Sequence, residues 1–404
     1  MSLISSEVAP MVLSSADTKI AFIILDGLGG FANSTGKTEL ELADTPNLDR
    51  LAKEGATGLI DTLGRGIVPG SGLAHLALFG YDAFKHDIGR GAIAANGIGV
   101  ILKPNQVAAR MNFCTAKDGK IVDRRAGRIP TEKSEELAKL LNDAVSIDGV
   151  KVQVHPVMDY RAVVVFEGDD LSIDVADTDP SKTGVPPNPV ESTAPGAEKM
   201  VKVVSAFVEQ AEKILANEHP ANAIVLRGFA VQPDLMPMQE CYGLKSACIA
   251  TYPDYKGVAR MIGMDVLTLE TGNEIADEFT TLEKHWKDYS FFFLHVKKTD
   301  SYGEDGNFDG RVHIIEETDR EIPRLMALNP DVVVVTGDHS TPAVFSAHTW
   351  HPVPVLLWGQ SVRVDETAHF GETEAIKGGL GRFCGAELML DVLSHAGRTG
   401  KMGA

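Results

Sequence analysis

Residues 20–27 read Ile-Ala-Phe-Ile-Ile-Leu-Asp-Gly, six consecutive apolar residues followed by a turn signal. A continuous apolar run of this length is typical of a strand buried on both faces of a parallel sheet. Later runs have the same character, and helical patterns such as residues 198–216 and 310–328 lie between them. These runs are residues 223–226, 291–295, 332–336 and 353–358. Strands that alternate with helices predict an α/β fold with a mostly parallel sheet.

The middle of the chain has a different pattern. Residues 107–175 contain short strand-like segments such as RAVVVFEG (residues 161–168), which suit a smaller mixed α+β domain. The Pro-rich segment 184–189 predicts a surface loop. Because 404 residues exceed one ordinary core, we expect two domains. The expected parts are a leader or flexible extension (residues 1–18), a discontinuous metal-binding domain (19–88 and 236–404) and an inserted domain (89–235).

Charge and cysteine usage limit the class of partner. The formal net charge is -18 and no basic stripe is present, so we expect no nucleic-acid partner. No apolar run approaches the length needed to span a bilayer, so we expect no membrane partner. The cysteines match neither a zinc site nor a disulfide framework, which predicts a reducing, cytoplasmic location. They are Cys114, Cys241, Cys248 and Cys384. The oligomeric state is left open.

Metal-type ligands stand close to several of the apolar runs. They are Asp26, Asp300, Asp338, His339 and His348. Each of these aspartates alone would suit a turn or a helix cap. Because ligands of open α/β sheets bind outside the carboxyl ends of the strands, we expect the side chains to converge. Three carboxylates and two imidazoles are suitable donors for two divalent metal ions of borderline softness.

A candidate nucleophile lies in the segment Pro-Gly-Ser-Gly at residues 69–72. Ser71 stands between two glycines, where we expect a helix to begin. A helix N-terminus offers free N–H groups to a phosphate. A metal ion can lower the pKa of a coordinated hydroxyl and so activate it. Without the metal ligands, Ser71 would suit a simple helix cap.

Five motifs give the chain a family resemblance. They are PGSGLAHLALFGYD (residues 69–82), IVDRRAGRI (121–129), DTDP (177–180), YKGVAR (255–260) and TGDHSTP (336–342). With these motifs in this order, the chain resembles the archaeal-type, cofactor-independent phosphoglycerate mutases of the alkaline-phosphatase superfamily over residues 20–393. The resemblance implies an alkaline-phosphatase-like, mostly parallel sheet flanked by helices, with an inserted smaller α+β lid domain.

The resemblance also implies two divalent metal ions and no need for 2,3-bisphosphoglycerate. Manganese is favoured, and magnesium, zinc and cobalt are alternatives. The implied ligands of one ion are Asp26, Ser71, Asp338 and His339, and those of the other are Asp300, Glu304 and His348. Relatives usually have a histidine where this chain has Glu304. A carboxylate there adds negative charge and favours harder metal ions.

The implied substrate is a small phosphorylated molecule, 3-phosphoglycerate, which would become 2-phosphoglycerate through a phosphoserine at Ser71. Lys256 and the metal ions would stabilise charge on the transferring oxygens. The lid domain would close over the cleft and exclude water. The residues implied to face the substrate are Arg110, Asn112, Arg124, Arg125, Arg128 and Arg227. Arginine forks match carboxylate and phosphate oxygens.

Departures from the family pattern keep alternatives open. Gly72 stands where an Asp is common, Ala94 where a Glu is usual, and Ser181 where a His often follows DTDP. Together with Glu304, they favour one alternative, a metal-dependent phosphohydrolase that acts on another small phosphate or phosphonate ester. A second alternative is a family member that binds a metabolite or partner without turnover, but the retained Ser71 speaks against it.

Overall fold

The chain folds as two units, each with a large hydrophobic core of its own. The computed structural model describes residues 3–86 and 88–403; residues 1 and 2, which belong to the expected extension, lie outside the described residues, as do 87 and 404. The first unit comprises residues 1–86 and 235–404, and the second comprises residues 87–234. The second unit is therefore an insertion in the chain of the first.

Strands and helices alternate along the first unit, as the apolar runs predict. The strands of the described chain are β1 (Ile20–Leu25), β2 (Ala56–Asp61), β3 (Gln106–Lys117), β4 (Lys120–Asp123), β5 (Lys151–Met158), β6 (Arg161–Glu167), β7 (Ala223–Ala230), β8 (Ser246–Ala250), β9 (Asp265–Val266), β10 (Phe291–Val296), β11 (Val332–Thr336), β12 (Val353–Gly359) and β13 (Gly381–Cys384).

The helices range from one turn to 20 residues. They are α1 (Ser5–Val8), α2 (Glu39–Leu42), α3 (Pro46–Glu54), α4 (Ser71–Leu78), α5 (Arg90–Gly97), α6 (Thr131–Ala144), α7 (Glu198–Leu215), α8 (Met238–Tyr242), α9 (Pro253–Met261), α10 (Ile275–His285), α11 (Lys298–Glu304), α12 (Phe308–Ala327), α13 (Glu372–Ala375) and α14 (Leu388–His395). Short 3-10 helices lie at Ala9–Met11, Ala126–Arg128 and Gly385–Glu387. Within the described ranges, no helix combines the length and the apolar character that crossing a bilayer requires.

The large sheet has eight strands in the order β13-β2-β12-β11-β1-β10-β8-β9. β1 is parallel to both of its neighbours, β10 and β11. Each of its residues is buried, as the opening apolar run predicts for a central parallel strand. One face of the sheet packs against α3, α10 and α12. The α/β class and the mostly parallel sheet are therefore confirmed.

Two of the predicted strands do not join the sheet in parallel. β12 runs antiparallel to β11 and β2. Residues 337–352 connect β11 to β12 without a helix, whereas a return to a parallel strand usually passes through a crossover helix. β7 belongs to the second unit, where it is antiparallel to β3. An apolar run predicts a buried strand, but it contains no signal for strand direction or sheet.

The second unit is an antiparallel sheet covered by helices. β3 pairs with β4, β6 and β7, and β5 pairs with β6. Met111 and Phe113 of β3 point into a core with α6 and α7. Because side chains alternate along a strand, Arg110 and Asn112 lie on the opposite face.

Residues 3–18 correct one expectation. Instead of forming a loose extension, they pack on the C-terminal part of the first unit. The Ser5 hydroxyl donates to the carbonyl of Ala386 (2.6 Å) and accepts from the N–H of Leu390 (3.1 Å). Gly400 donates its N–H to the carbonyl of Val12 (2.6 Å). The two helices of this segment, Ser5–Val8 and Ala9–Met11, have four and three residues and are too short to leave a periodic pattern in the sequence.

Candidate active site

The predicted metal ligands of the first unit meet at one edge of the large sheet. Asp26 directly follows β1, Asp300 lies in α11 after β10, and Asp338 and His339 follow β11. These three strands are adjacent and parallel, so their carboxyl ends share an edge. His348 comes from the loop between β11 and β12 and also reaches this edge, where its Nε2 lies 3.4 Å from Oδ1 of Asp300.

Asp26, Asp338 and His339 form a first buried trio. Nε2 of His339 lies 3.3 Å from Oδ1 of Asp26 and 3.2 Å from Oδ2 of Asp338. Those two carboxylate oxygens have no hydrogen-bond partner among the described residues. Ser71 Oγ lies 3.1 Å from the same Nε2 atom. Three oxygens, from Asp26, Asp338 and Ser71, therefore lie within 3.3 Å of one imidazole nitrogen.

Asp300, His339 and His348 form a second trio, and His339 belongs to both. The imidazole rings of His339 and His348 stack with their centroids 3.7 Å apart. Glu304 lies at the outer edge of this trio, with Oε1 3.9 Å from Nε2 of His348 and a side chain that is 59% exposed. Glu304 thus lies close to the second trio but farther out than the other ligands.

Ser71 is the first residue of α4, after an extended Gly70. The flanking glycines predict a helix start at this serine, and the structure confirms it. The N–H groups of the first helical turn have no partner within the helix and can bind an anion. His75, one turn later, donates from Nδ1 to the carbonyl of Ser71 (2.7 Å) and lies 3.4 Å from Oδ2 of Asp338.

Lys297 is the cation inside the site. Its Nζ lies 2.8 Å from Oδ2 of Asp26 and 2.5 Å from Oδ2 of Asp300. The Tyr255 hydroxyl donates to the same oxygen of Asp26. The Tyr255 ring stacks on the buried ring of His295 at a centroid distance of 3.6 Å. Asp26 is therefore held by two donors.

The buried charges shift one another's pKa values. Burial alone would raise the pKa of Asp26, but the ammonium of Lys297 holds it well below its ordinary range. Burial and the adjacent Asp26 carboxylate raise the pKa of Asp338 well above its ordinary range. Burial lowers the pKa of His339 to about 3, so its imidazole is neutral at pH 7. A neutral imidazole is the form that binds a metal ion.

The donor set fits divalent metal ions. Among the described residues, no hydrogen-bond donor reaches two buried carboxylate oxygens, one on Asp26 and one on Asp338, which is costly unless a cation binds them. Carboxylate, hydroxyl and imidazole donors suit manganese, zinc and similar ions. Within the described residues, Asp26, Asp300, Asp338, His339 and His348 therefore lie close together in two overlapping trios.

In the second unit, several of the predicted substrate residues share one face of the sheet. Arg110 is paired with Arg227 across β3 and β7, and Asn112 is paired with Arg161 across β3 and β6. Paired residues of antiparallel strands point to the same face. Oδ1 of Asn112 is buried without a hydrogen-bond partner in the described chain. Arg161 is a cationic member of this face that the sequence analysis did not include.

Arg124 makes a two-bond contact with Asp179. Its Nε and Nη2 donate to the two carboxylate oxygens at 3.0 and 2.7 Å. Nη1 of Arg227 lies 3.5 Å from the same carboxylate, so Asp179 joins two predicted substrate residues. Their guanidinium groups therefore lie close together.

Arg125 and Arg128 are exposed and flank a strained turn. Ala126, Gly127 and Arg128 have φ angles of 46°, 63° and 54°. Residues other than glycine rarely adopt this left-handed region, and strain of about 1–3 kcal/mol per residue tends to cluster at ligand sites.

Lys256 lies in the first turn of α9, directly after Tyr255. Burial lowers its pKa. No hydrogen bond or ion pair joins Lys256 to the metal-type ligands in the part of the chain that the structure describes. Tyr255 and Lys297 make the contacts with Asp26 instead.

Sequence reasoning missed Lys297, Tyr255 and Thr341 as parts of the site. Thr341 donates its hydroxyl to Oδ1 of Asp300 (2.8 Å) and lies 2.9 Å from Nδ1 of His339. The spacing of Lys297 and Asp300, three residues apart, was a usable signal. Three residues correspond to about one helical turn, which brings both side chains to one side of the helix start.

A family model and two similar proteins carry the same family description. A family model described as 2,3-bisphosphoglycerate-independent phosphoglycerate mutase matches residues 52–222. A protein of Aquifex aeolicus, named "Probable 2,3-bisphosphoglycerate-independent phosphoglycerate mutase", is 47% identical over 399 residues, covering 96% of this chain and 97% of that protein. A protein of Thermus thermophilus with the same name is 46% identical over 391 residues, covering 96% of each chain.

Solved structures are also similar. The PH0037 protein from Pyrococcus horikoshii superposes with a TM-score of 0.84 at 30% identity, covering 96% of this chain and 100% of that chain. A cofactor-independent phosphoglycerate mutase from Thermoplasma acidophilum superposes with a TM-score of 0.68 at 28% identity, covering 94% and 99%. The similarity therefore extends over both units of the chain.

Proposed function

Because this chain belongs to the family of 2,3-bisphosphoglycerate-independent phosphoglycerate mutases, we propose that it interconverts 3-phosphoglycerate and 2-phosphoglycerate through a phosphoserine at Ser71. The reaction is an isomerisation in which one phosphoryl group moves within the substrate. One observation carries the choice of nucleophile. Ser71 Oγ lies 3.1 Å from Nε2 of His339, and the same nitrogen lies close to two buried carboxylate oxygens that have no hydrogen-bond donor in the described parts of the chain.

The candidate ligands would hold two divalent metal ions. Asp26, Ser71, Asp338 and His339 are proposed for one ion, and Asp300, Glu304 and His348 for the other. When bound, such ions lower the pKa of a hydroxyl and attract charge from phosphate oxygens. Manganese suits this oxygen-rich set with its additional carboxylate at Glu304. The proposed site of action is the cytoplasm, in keeping with four free cysteines.

The transfer has two balanced steps. In the first, Ser71 Oγ bonds to phosphorus, the bond from phosphorus to the C3 oxygen of the substrate breaks, and that oxygen gains a proton as Ser71 loses one. In the second, the C2 oxygen loses its proton and bonds to phosphorus, and Ser71 Oγ leaves and is protonated again. The N–H groups at the start of α4 face the phosphoryl group on Ser71 and stabilise its charge.

Arginines of the second unit are proposed to bind the anionic groups of the substrate. The set is Arg110, Asn112, Arg124, Arg125, Arg128 and Arg227. Three features support it: the shared sheet face of Arg110 and Arg227, the buried Asn112 oxygen that lacks a hydrogen-bond partner among the described residues, and the strained turn that includes Arg128. Lys256, whose pKa burial lowers, is proposed to stabilise charge on the transferring group.

The test is an assay of the full chain with Mn²⁺ and 3-phosphoglycerate that follows 2-phosphoglycerate and free phosphate together. We expect 2-phosphoglycerate to form with little free phosphate, and acid quenching to trap a phosphoryl group on the peptide that contains Ser71. Ser71→Ala should lower turnover by at least about 10³-fold, because the nucleophile is lost. Ser15→Ala, at an exposed serine, is the matched control.

Two results would contradict this function. Free phosphate without 2-phosphoglycerate would identify a hydrolase that uses the same nucleophile. Undiminished turnover in Ser71→Ala, with the control also active, would exclude a phosphoserine at this position.

A further inference from the structure

Lys297 contacts one carboxylate from each side of the candidate metal centre. Its Nζ lies 2.8 Å from Asp26, a member of the first trio, and 2.5 Å from Asp300, a member of the second. The side chain is 21% exposed, while the Asp26 and Asp300 side chains are 0% and 3% exposed. One ammonium group therefore joins two nearly buried carboxylates, one directly after β1 and the other in α11.

The two oxygens of each carboxylate have separate partners. Lys297 binds Oδ2 of both aspartates. The Oδ1 atoms lie near the imidazoles, at 3.3 Å from Nε2 of His339 for Asp26 and 3.4 Å from Nε2 of His348 for Asp300. Two hydroxyl groups complete these contacts, because Tyr255 also donates to Oδ2 of Asp26 and Thr341 donates to Oδ1 of Asp300. Lys297 therefore holds the Oδ2 atoms of both aspartates, and their Oδ1 atoms point toward the histidine nitrogens.

The position of Lys297 is itself well determined by the fold. It directly follows β10, a central strand that pairs with β1 and β8, and it precedes the first residue of α11. The rings of Tyr252 and Tyr255 flank its ammonium group, each with a centroid 5.6 Å away. A cation near aromatic faces and two carboxylates is stabilised in place.

We propose that Lys297 is a positioning residue that holds Asp26 and Asp300 as one-oxygen metal ligands and thereby couples the two metal sites. This inference rests on the proposed function, because it assumes that the two trios bind metal ions. Hydrogen bonds to the free oxygen of a ligating carboxylate fix its orientation, and removing such a partner typically weakens metal binding about 10–100-fold. Since one side chain serves both carboxylates, its loss weakens both sites together.

The experiment measures Mn²⁺ binding to the metal-stripped full chain by titration calorimetry, without substrate. Lys297→Met keeps the length of the side chain and removes the charge. We expect both Mn²⁺ affinities to fall by about 10–100-fold in this variant. Lys298→Met is the matched control, because Lys298 is the next residue and its ammonium binds Glu274 (2.5 Å), outside both trios. The control should bind Mn²⁺ as the wild type does.

The other outcomes are distinguishable. Wild-type affinities in a folded Lys297→Met chain, loss at one site alone, or tighter binding would each overturn the inference; tighter binding would show that the lysine competes with the metal. A wild type that binds no Mn²⁺ would instead overturn the proposed metal centre. If Lys297→Met does not fold, two other variants replace it. Lys297→Arg keeps the charge but changes the reach, and Lys297→Gln removes the charge. Wild-type Mn²⁺ affinities in both variants would reject the positioning role of Lys297.

Discussion

The guanidinium group of Arg311 lies 2.7 Å from the carboxylate of Glu39, and both side chains are completely buried. Arg311 Nη2 also donates to the carbonyls of Gly27 (2.6 Å) and Leu28 (2.9 Å), directly after Asp26. Oε1 of Glu39 accepts the N–H of Ala343 (2.8 Å), in the loop between His339 and His348. One buried ion pair therefore supports both loops that carry metal-type ligands.

Arg311→Met should lower the free energy of unfolding by about 3–5 kcal/mol, because it leaves the Glu39 carboxylate buried without its partner. Urea unfolding of the metal-free protein measures the loss. Arg320→Met is the control on the same helix, where an exposed arginine lies 3.5 Å from Glu316. An exposed pair of this kind contributes at most about 1 kcal/mol. Equal effects of the two substitutions would contradict a special role for the buried pair.

Asp338→Asn should raise the melting temperature of the metal-free protein and reduce the further increase that Mn²⁺ causes. Burial and the Asp26 carboxylate raise the pKa of Asp338, so the metal-free wild type is destabilised at neutral pH by two adjacent carboxylates. We therefore expect the metal-free variant to melt at a higher temperature than the metal-free wild type. Mn²⁺ should raise the melting temperature of the wild type, as expected for a ligand of the native state, but should raise that of the variant much less. Asp305→Asn, at an exposed aspartate, should leave both temperatures unchanged. A variant with the wild-type Mn²⁺ response would remove Asp338 from the ligand set.

Arg124→Lys should raise the KM for 3-phosphoglycerate by about 10-fold or more, with a smaller change in kcat. Arg124 forms a two-bond fork with Asp179, and a lysine cannot present such a fork to a carboxylate or phosphate. The loss of one hydrogen bond to a charged group costs about 1.5–3 kcal/mol, which corresponds to about a tenfold or larger loss of affinity. Steady-state kinetics at saturating Mn²⁺ measure both parameters. Arg65→Lys, at a residue whose side chain is 73% exposed, is the control. An unchanged KM would show that Arg124 contacts Asp179 but does not contribute to substrate binding.

Glu278 should make stability fall as the pH rises. It is a buried residue of α10, its Oε2 has no hydrogen-bond partner among the described residues, and burial raises its pKa well above the ordinary value of 4.5. Below pH 4.5 the carboxyl is protonated in both states and causes no penalty. Above that value only the unfolded chain ionises freely, so the wild type loses stability until the pH passes the folded pKa. Glu278→Gln should lack this loss, which urea unfolding between about pH 5 and pH 8 would reveal. Glu135→Gln, at an exposed position, should keep the wild-type slope; the same slope in Glu278→Gln would exclude Glu278 as the cause.

Several parts of the site could be predicted from the sequence. The apolar run at residues 20–25 indicated a buried central strand, and Asp26 at its end was a candidate ligand for that reason. The start of a helix at Ser71 followed from the glycine on either side. The ordered segment at residues 3–18 and the direction of β12 could not be predicted, because short helices leave no periodic pattern and an apolar run has no direction.

The residues that end the buried strands could be predicted from the chain alone, because hydrophobic periodicity indicates burial and turn residues indicate where a strand stops. Which of those strand ends are neighbours depends on the folded arrangement of the sheet. Lys297 and Asp26 are 271 positions apart, yet they are in contact because β1 pairs with β10. His339 likewise joins both trios because β11 lies on the other side of β1. Strand order is set by the packing of helices on both faces of the sheet, and no local pattern in the chain contains that information.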